Sequence, residues 1–259
     1  MFIASKEGEC DVKCLLSSGA DINLCDENGQ SSLYIALEEG ECDVVECLVS
    51  SGAEINWCHK QGQSPLFIAS MIGDCDVVKY LLSSGANINL CDEDGQSPLY
   101  VASEEGECDV VECLVSSGAE INLCDKRGKS PLFIASMIGH CDVVKCLLSS
   151  GADINLCDKD GESPLFAASG HEECDVVKCL LSSGADINLR SQLWRSPLFE
   201  ASLSGHCDVV KCLLISGADI NLCDDSGRSA LFIASLCGHC DVVKCLLSSV
   251  QPTREITIV

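Results

Sequence analysis

The chain predicts an all-α fold: a solenoid of stacked helix-turn-helix units. A fixed period is the first reason. Cys25, Cys58, Cys91, Cys124, Cys157 and Cys223 fall on one 33-residue grid, and Arg190 fills the remaining slot. Periods of about 20–50 residues mark units that stack side by side rather than one globular core. The second reason is that apolar residues inside each period recur at helical spacing in two short clusters. The third is length. Each cluster allows only about eight to ten residues, roughly 12–15 Å of helix, and helices shorter than about 12–15 residues are marginal alone. Every unit therefore needs neighbours on both sides to bury its apolar face.

Residues 124–156 show the elements of one unit in order. Asp125-Lys126-Arg127-Gly128 reads as a turn, with glycine supplying the positive φ that such turns need. Ser130-Pro131 opens a helix, because serine caps free backbone amides and proline suits the first helical position. That helix carries Leu132, Phe133, Ala135 and Ile138, and Gly139 stops it. Asp142 begins a second helix with Val143, Val144, Leu147 and Leu148 at helical spacing. Ser149-Ser150-Gly151-Ala152 ends it, and Asp153-Ile154-Asn155 leads extended into the next turn.

Three segments of this unit resemble the ankyrin repeat: Asp-x-x-Gly-x-Ser-Pro-Leu-Phe-x-Ala, Gly-His-x-x-Val-Val-x-x-Leu-Leu and Gly-Ala-Asp-Ile-Asn. The likeness covers nearly the whole chain in seven successive units. It implies a turn and two helices per unit, hairpin fingers on one side, and a concave face formed by fingers and first helices. It also implies binding of other proteins and no catalytic centre. One slot departs from the family, which usually has His after Pro-Leu. Here that slot holds Tyr34, Phe67, Tyr100, Phe133, Phe166, Phe199 and Phe232. Aromatic stacking along the helix ladder is therefore expected in place of a His-mediated network between units.

The expected organisation is a partial unit at 1–24 and full units at 25–57, 58–90, 91–123, 124–156, 157–189 and 190–222. A last unit spans 223–249, and 250–259 form a tail. Neither end reads as a polar cap, which solenoids normally need, so a piece of a longer protein is expected. Residues 25–90 and 91–156 are nearly the same text: Glu38-Glu39-Gly40-Glu41 returns as Glu104-Glu105-Gly106-Glu107. Duplication accounts for these acidic clusters without any binding role.

A net charge of -24 argues against nucleic acid, whose phosphates require Lys and Arg to displace counterions. The acid is uneven: residues 1–123 carry 23 Asp and Glu against 4 Lys, and residues 124–259 carry 17 against 12 Lys and Arg. A basic partner for the N-terminal half and simple solubility both fit this gradient. No apolar run approaches the roughly 20 residues that cross a bilayer, so no membrane insertion is expected. Met1 opens no secretory signal pattern. A cytoplasmic, reducing compartment is expected.

The 22 cysteines occupy three recurring slots, shown by Cys124, Cys141 and Cys146, with Cys237 as an extra. Like slots in adjacent units lie about 8–10 Å apart, beyond the roughly 7 Å Cα separation a disulfide tolerates. Cys141 and Cys146 stand about 140° apart around their helix. The cysteines read as small packing residues, with metal or redox chemistry as the competing reading. Cys237-Gly238-His239-Cys240 is its best local case, yet lacks paired Cys-x-x-Cys spacing. No metal or cofactor is expected.

Partner-facing positions are free to differ between units, and the turns vary most. Lys126-Arg127 and Lys159-Asp160 are candidates there, as is Trp57 beside another turn. The strongest candidate is Arg190-Ser191-Gln192-Leu193-Trp194-Arg195, where Trp194 occupies the glycine slot and Arg190, Leu193 and Arg195 surround it. Trp and Arg concentrate binding energy, so replacing Trp194 and Arg195 with Ala is expected to weaken capture and leave helical content intact. Nearby, Glu200 enters a helix slot otherwise held by Ile, Val or Ala, and Gly170-His171-Glu172-Glu173 displaces the usual glycine. Thr257-Ile258-Val259 resembles the carboxy-terminal ligand of a PDZ domain. The spacing from Leu147 to Asn155 resembles an asparagine-hydroxylation context. No phosphate loop, nucleophile elbow or His-Glu metal helix occurs, and the five His are scattered. An interaction scaffold is the expected function. A thiol-rich metal or redox protein, and a recruiting segment of a larger enzyme or membrane protein, are the alternatives.

Overall fold

The structure, a computed structural model, describes residues 18–250. Most of the partial unit at 1–24, and the PDZ-like end at 257–259, lie outside the described residues. The chain divides into two compact units, Met1–Lys126 and Arg127–Val259.

In the first, α1 (Ser32–Glu38), α3 (Pro65–Ile72) and α5 (Pro98–Glu105) pack in a row. A second row holds α2 (Cys42–Ser50), α4 (Cys75–Ser83) and α6 (Cys108–Ser116), each packed on the first helix of its own pair. The second unit repeats the plan. Its first row is α7 (Pro131–Ile138), α9 (Pro164–Gly170), α11 (Pro197–Ser204) and α13 (Ala230–Cys237). Its second row is α8 (Cys141–Ser149), α10 (Cys174–Ser182), α12 (Cys207–Ile215) and α14 (Cys240–Val250). The described residues contain helices and turns with two isolated bridges, Cys25–Ser31 and Cys223–Ser229.

Local chemistry sets the helix ends. Ser130 Oγ accepts the Phe133 amide at 3.1 Å ahead of Pro131, and the same cap recurs at Ser64, Ser97, Ser163 and Ser196. Second helices begin at the cysteine, one residue before the expected Asp142. Between the rows lies the core, with Leu132, Phe133, Val144 and Leu147 buried and their counterparts equally so in every described repeat but the last. Phe199 is 1% exposed under the next helix pair, whereas Phe232 of α13 is 52% exposed, since no further described pair covers it.

The first-helix glycine caps Gly73, Gly139 and Gly205 are fixed by both backbone and neighbour. Gly205 has φ +84, and a Cβ there would lie 2.7 Å from the His239 ring. Gly217 has φ +94 but open space around it. Gly217→Ala therefore carries only the left-handed backbone term, about 1 kcal/mol. Gly205→Ala adds displacement of His239 and its hydrogen bond, for about 2 kcal/mol in all. Urea unfolding of the two variants checks the difference, and equal losses would remove the contact as its cause.

Tyr34 is the buried aromatic of α1. Burial, and then the Glu38 carboxylate beside it, push its hydroxyl up to about 12. A raised folded value means that this contribution is complete below the ordinary tyrosine value of about 10. It is lost as pH rises from there towards about 12. Tyr34→Phe, which restores the residue at Phe67, is expected to flatten the fall in melting temperature over that window.

Candidate interaction surface

Several turns between helix pairs are built around one carboxylate, and His59 Nδ1 takes that place in accepting the Gln63 amide. Asp92 Oδ1 accepts the amides of Asp94 at 2.9 Å and Gln96 at 2.8 Å, and Asp158 Oδ1 does the same for Asp160 and Glu162. Backbone closure follows, with Gly95 N–H donating to Asp92 O and Asp92 N–H to Gln96 O. Successive turns are then tied to each other by backbone hydrogen bonds. In the first unit Lys60 N–H donates to Asn28 O, Glu93 N–H to Gln61 O and Lys126 N–H to Asp94 O. In the second, Lys159 N–H donates to Arg127 O, Gln192 N–H to Asp160 O and Asp225 N–H to Leu193 O. Arg127, Lys159, Asp160 and Leu193 thus sit on one continuous ladder of turns, and the side chains of all four are exposed.

The 191–195 turn keeps this closure without its carboxylate. Ser191 N–H donates to Arg195 O at 3.0 Å and Trp194 N–H to Ser191 O at 2.9 Å. Trp194 takes φ +61, the conformation glycine supplies at +74 in Gly161 and Gly227. A bulky residue there is strained by about 1–2 kcal/mol. The indole does not fold back into the stack: Trp194 is 55% exposed and Leu193 50% exposed. The Arg190 guanidinium covers one ring face, 4.3 Å from its centroid.

Arg195 lies differently from its neighbour. Its guanidinium rests over the Phe199 ring at 5.6 Å, as Lys129 Nζ rests over Phe133 at 5.0 Å. It approaches Glu200 to 3.8 Å, with the two side chains 28% and 19% exposed. This inward pose separates Arg195 from Trp194 as a target for replacement. Truncating Arg195 would strand a buried carboxylate and unsettle the helices themselves. Trp57, in the first unit, donates its Nε1–H to Gly29 O at 3.1 Å, so its exposed ring is pinned to the preceding turn.

A family model described as ankyrin repeats (3 copies) matches residues 1–57, 45–125, 99–191 and 174–256. The chain belongs to the ankyrin-repeat family. A search of curated proteins finds no match. Ankyrin repeats are generally protein–protein interaction modules, and proteins built from them are typically non-enzymatic scaffolds, which points to protein partners here. No helix among the described residues is long and apolar enough to cross a membrane.

The repeats are tied together in a way the sequence reading did not foresee. Aromatics at the family's His slot are core fillers except the exposed Phe232, and no ring–ring stack joins Phe133, Phe166, Phe199 and Phe232 among the described residues. The stack at that slot is Tyr34 on His59, with ring centroids 4.8 Å apart. Histidine bridges between ankyrin repeats come instead from the Gly-His slot. His206 Nε2 bonds Gly170 O and His239 Nε2 bonds Leu203 O, both at 3.0 Å. Asparagine supplies a second bridge: Asn155 Oδ1 accepts the Asp186 amide and Asn188 Oδ1 the Asp219 amide, each at 2.9 Å.

The irregular 170–173 segment gathers charge against the 190–222 repeat. Glu172 takes φ +65 and brings its Oε2 to 3.7 Å from His206 Nδ1. Around the cysteines, none of the 20 described thiols is in a disulfide and most are half-buried, with Cys42, Cys237 and Cys240 exposed. Burial pushes the Cys58, Cys91, Cys124 and Cys157 thiols up. No group of three or more His, Cys, Asp or Glu converges on a metal-sized site among the described residues.

Proposed function

We propose that the chain is a non-catalytic scaffold that captures a partner protein through the hairpin fingers of its repeats, on the turn ladder of residues 127–250. The supporting observation is the pair Leu193 and Trp194, large apolar side chains held in solvent on a turn whose backbone is strained to keep them there. Strain of this kind persists where function rather than stability sets the residue. Arg190 orients the indole, and Arg127, Lys159 and Asp160 form the charged rim along the same ladder. An apolar anchor within a charged rim is the anatomy of a binding hot spot. Arg195 supports the turn from beneath. On this reading the repeats run 25–57 through 223–249 as the 33-residue grid sets them, and the partner offers an apolar pocket flanked by acid.

Quantitative affinity capture with mass spectrometry tests the proposal, comparing the intact chain with Trp194→Gly. Loss of a captured protein from the variant is expected, with unchanged helical content by circular dichroism. Retention of every partner would remove Trp194 from the surface.

A further inference from the structure

Each second helix carries a thiol at its first residue and, in most repeats, another at its sixth. Five residues turn a helix by about 140°, so the two thiols of one helix face opposite neighbours. Contacts therefore form between unlike slots. Cys75 at the head of α4 and Cys113 of α6 line one open groove with Lys79 and Asp109, near enough for each thiol to feel the other electrostatically. The Cys75 thiol also reaches Asp109 O at 3.7 Å.

The same arrangement recurs in the second unit. Cys141 and Cys179, Cys207 and Cys245, and Cys174 and Cys212 each stand within electrostatic reach of one another. Every pair spans 38 residues and joins two packed second helices. A lysine one turn on accompanies each first thiol within electrostatic reach: Lys79 beside Cys75, Lys145 beside Cys141, Lys178 beside Cys174 and Lys211 beside Cys207. Cys42 is the built-in exception. The residue 38 positions on is Tyr80, whose hydroxyl bonds Glu46 O at 3.2 Å, and the Cys42 thiol bonds Asp74 Oδ2 at 3.2 Å instead.

We infer that Cys75/Cys113, Cys141/Cys179, Cys174/Cys212 and Cys207/Cys245 are sites of reversible disulfide formation, closed by a low-molecular-weight disulfide of the glutathione class. Cys75, as thiolate, attacks one sulfur of that disulfide, forming a mixed disulfide and expelling one small thiolate. The charge on the attacking sulfur faces the Lys79 ammonium. Burial pushes the Cys113 thiol up, so it serves as the second sulfur. It loses its proton, attacks Cys75 sulfur and expels the second small thiolate, which is protonated in turn. Two protein thiols are oxidised, one small disulfide is reduced to two thiols, and two protons and two electrons are conserved. The product staples one repeat to the next. Closing a bridge brings the two sulfurs to the bond length of about 2.05 Å.

Treating the full chain with oxidised glutathione, then blocking free thiols and mapping peptides without reduction, tests this inference. Every bridge found should join cysteines 38 residues apart, lower the intact mass by two hydrogens and disappear with a dithiol reductant. Cys42 should end as a free thiol or a glutathione adduct. Cys113→Ser should leave Cys75 carrying glutathione while the pairs at 141/179, 174/212 and 207/245 still close. Bridges at other spacings would overturn the inference, as would a fully thiolated or adducted chain without internal bridges.

Discussion

Arg195→Gln is expected to destabilise the 127–250 unit by about 2–3 kcal/mol, and adding Glu200→Ile is expected to reverse the loss and overshoot it. Arg195 and Glu200 are mostly withdrawn from water, yet their closest atoms are 3.8 Å apart. Arg195 Nε and Glu200 Oε2 lack hydrogen-bond partners. The pair has therefore lost hydration without gaining a good bond. Removing one partner from a buried pair costs about 3–5 kcal/mol, and partial water access here lowers that to the stated range. Removing both installs the Gln and Ile of Gln63 and Ile68, an arrangement already present in the first unit. A net gain of about 1 kcal/mol over the parent is expected.

The pH dependence carries an independent sign. Burial raises the Glu200 carboxyl, against the opposing pull of Arg195 and then His171. A raised carboxyl contributes stability that is complete below the ordinary carboxylate range and is lost as pH rises through the folded value. Arg195→Gln removes the larger opposing charge, so its deficit should be smallest in acid. Urea unfolding of the two single variants and the double, at acid and neutral pH, reads both effects. A neutral effect of Arg195→Gln at pH 7 would show that the pair does not govern this helix.

The fold was legible because a 33-residue period reports what like positions share. Ser130 before Pro131 announced the first helix, and Gly139 announced its end at φ +98. What period cannot report is contact between unlike positions. Asn155 reaches 31 residues ahead, His206 reaches 36 back, and Cys75 meets a thiol 38 ahead. Those offsets depend on how far one helix pair slides along the next, which repeats in three dimensions but leaves no mark in a single grid. Treating Cys141 and Cys146 as separate slots hid the pairing for this reason. The candidate surface was legible as an anomaly, since Trp194 in a glycine slot is visible at once. Side-chain direction was not legible. Trp194 and Arg195 are adjacent, yet one stands in solvent and the other lies over Phe199.

Trp194→Gly is expected to abolish capture while leaving stability within about 1 kcal/mol of the parent. Three terms set that balance. Returning glycine to φ +61 relieves about 1–2 kcal/mol of left-handed strain. Against this, glycine's freedom in the unfolded chain costs about 0.4–1 kcal/mol, and the lost stack on Arg190 costs about 0.5–1 kcal/mol. The turn's closure survives, because Ser191–Arg195 pairing uses backbone alone and Gly161 closes the same turn. A central tryptophan anchor contributes about 2 kcal/mol or more to binding, a loss of roughly 30-fold in affinity. Alanine would be the poorer choice, since its Cβ keeps the strain. Arg195 must stay, since its removal mixes unfolding into the readout. Titration of a captured partner against parent and variant, beside their melting curves, separates the outcomes. Lower affinity at equal stability carries the proposal. Equal affinity with a raised melting temperature would make Trp194 a strained turn residue and nothing more.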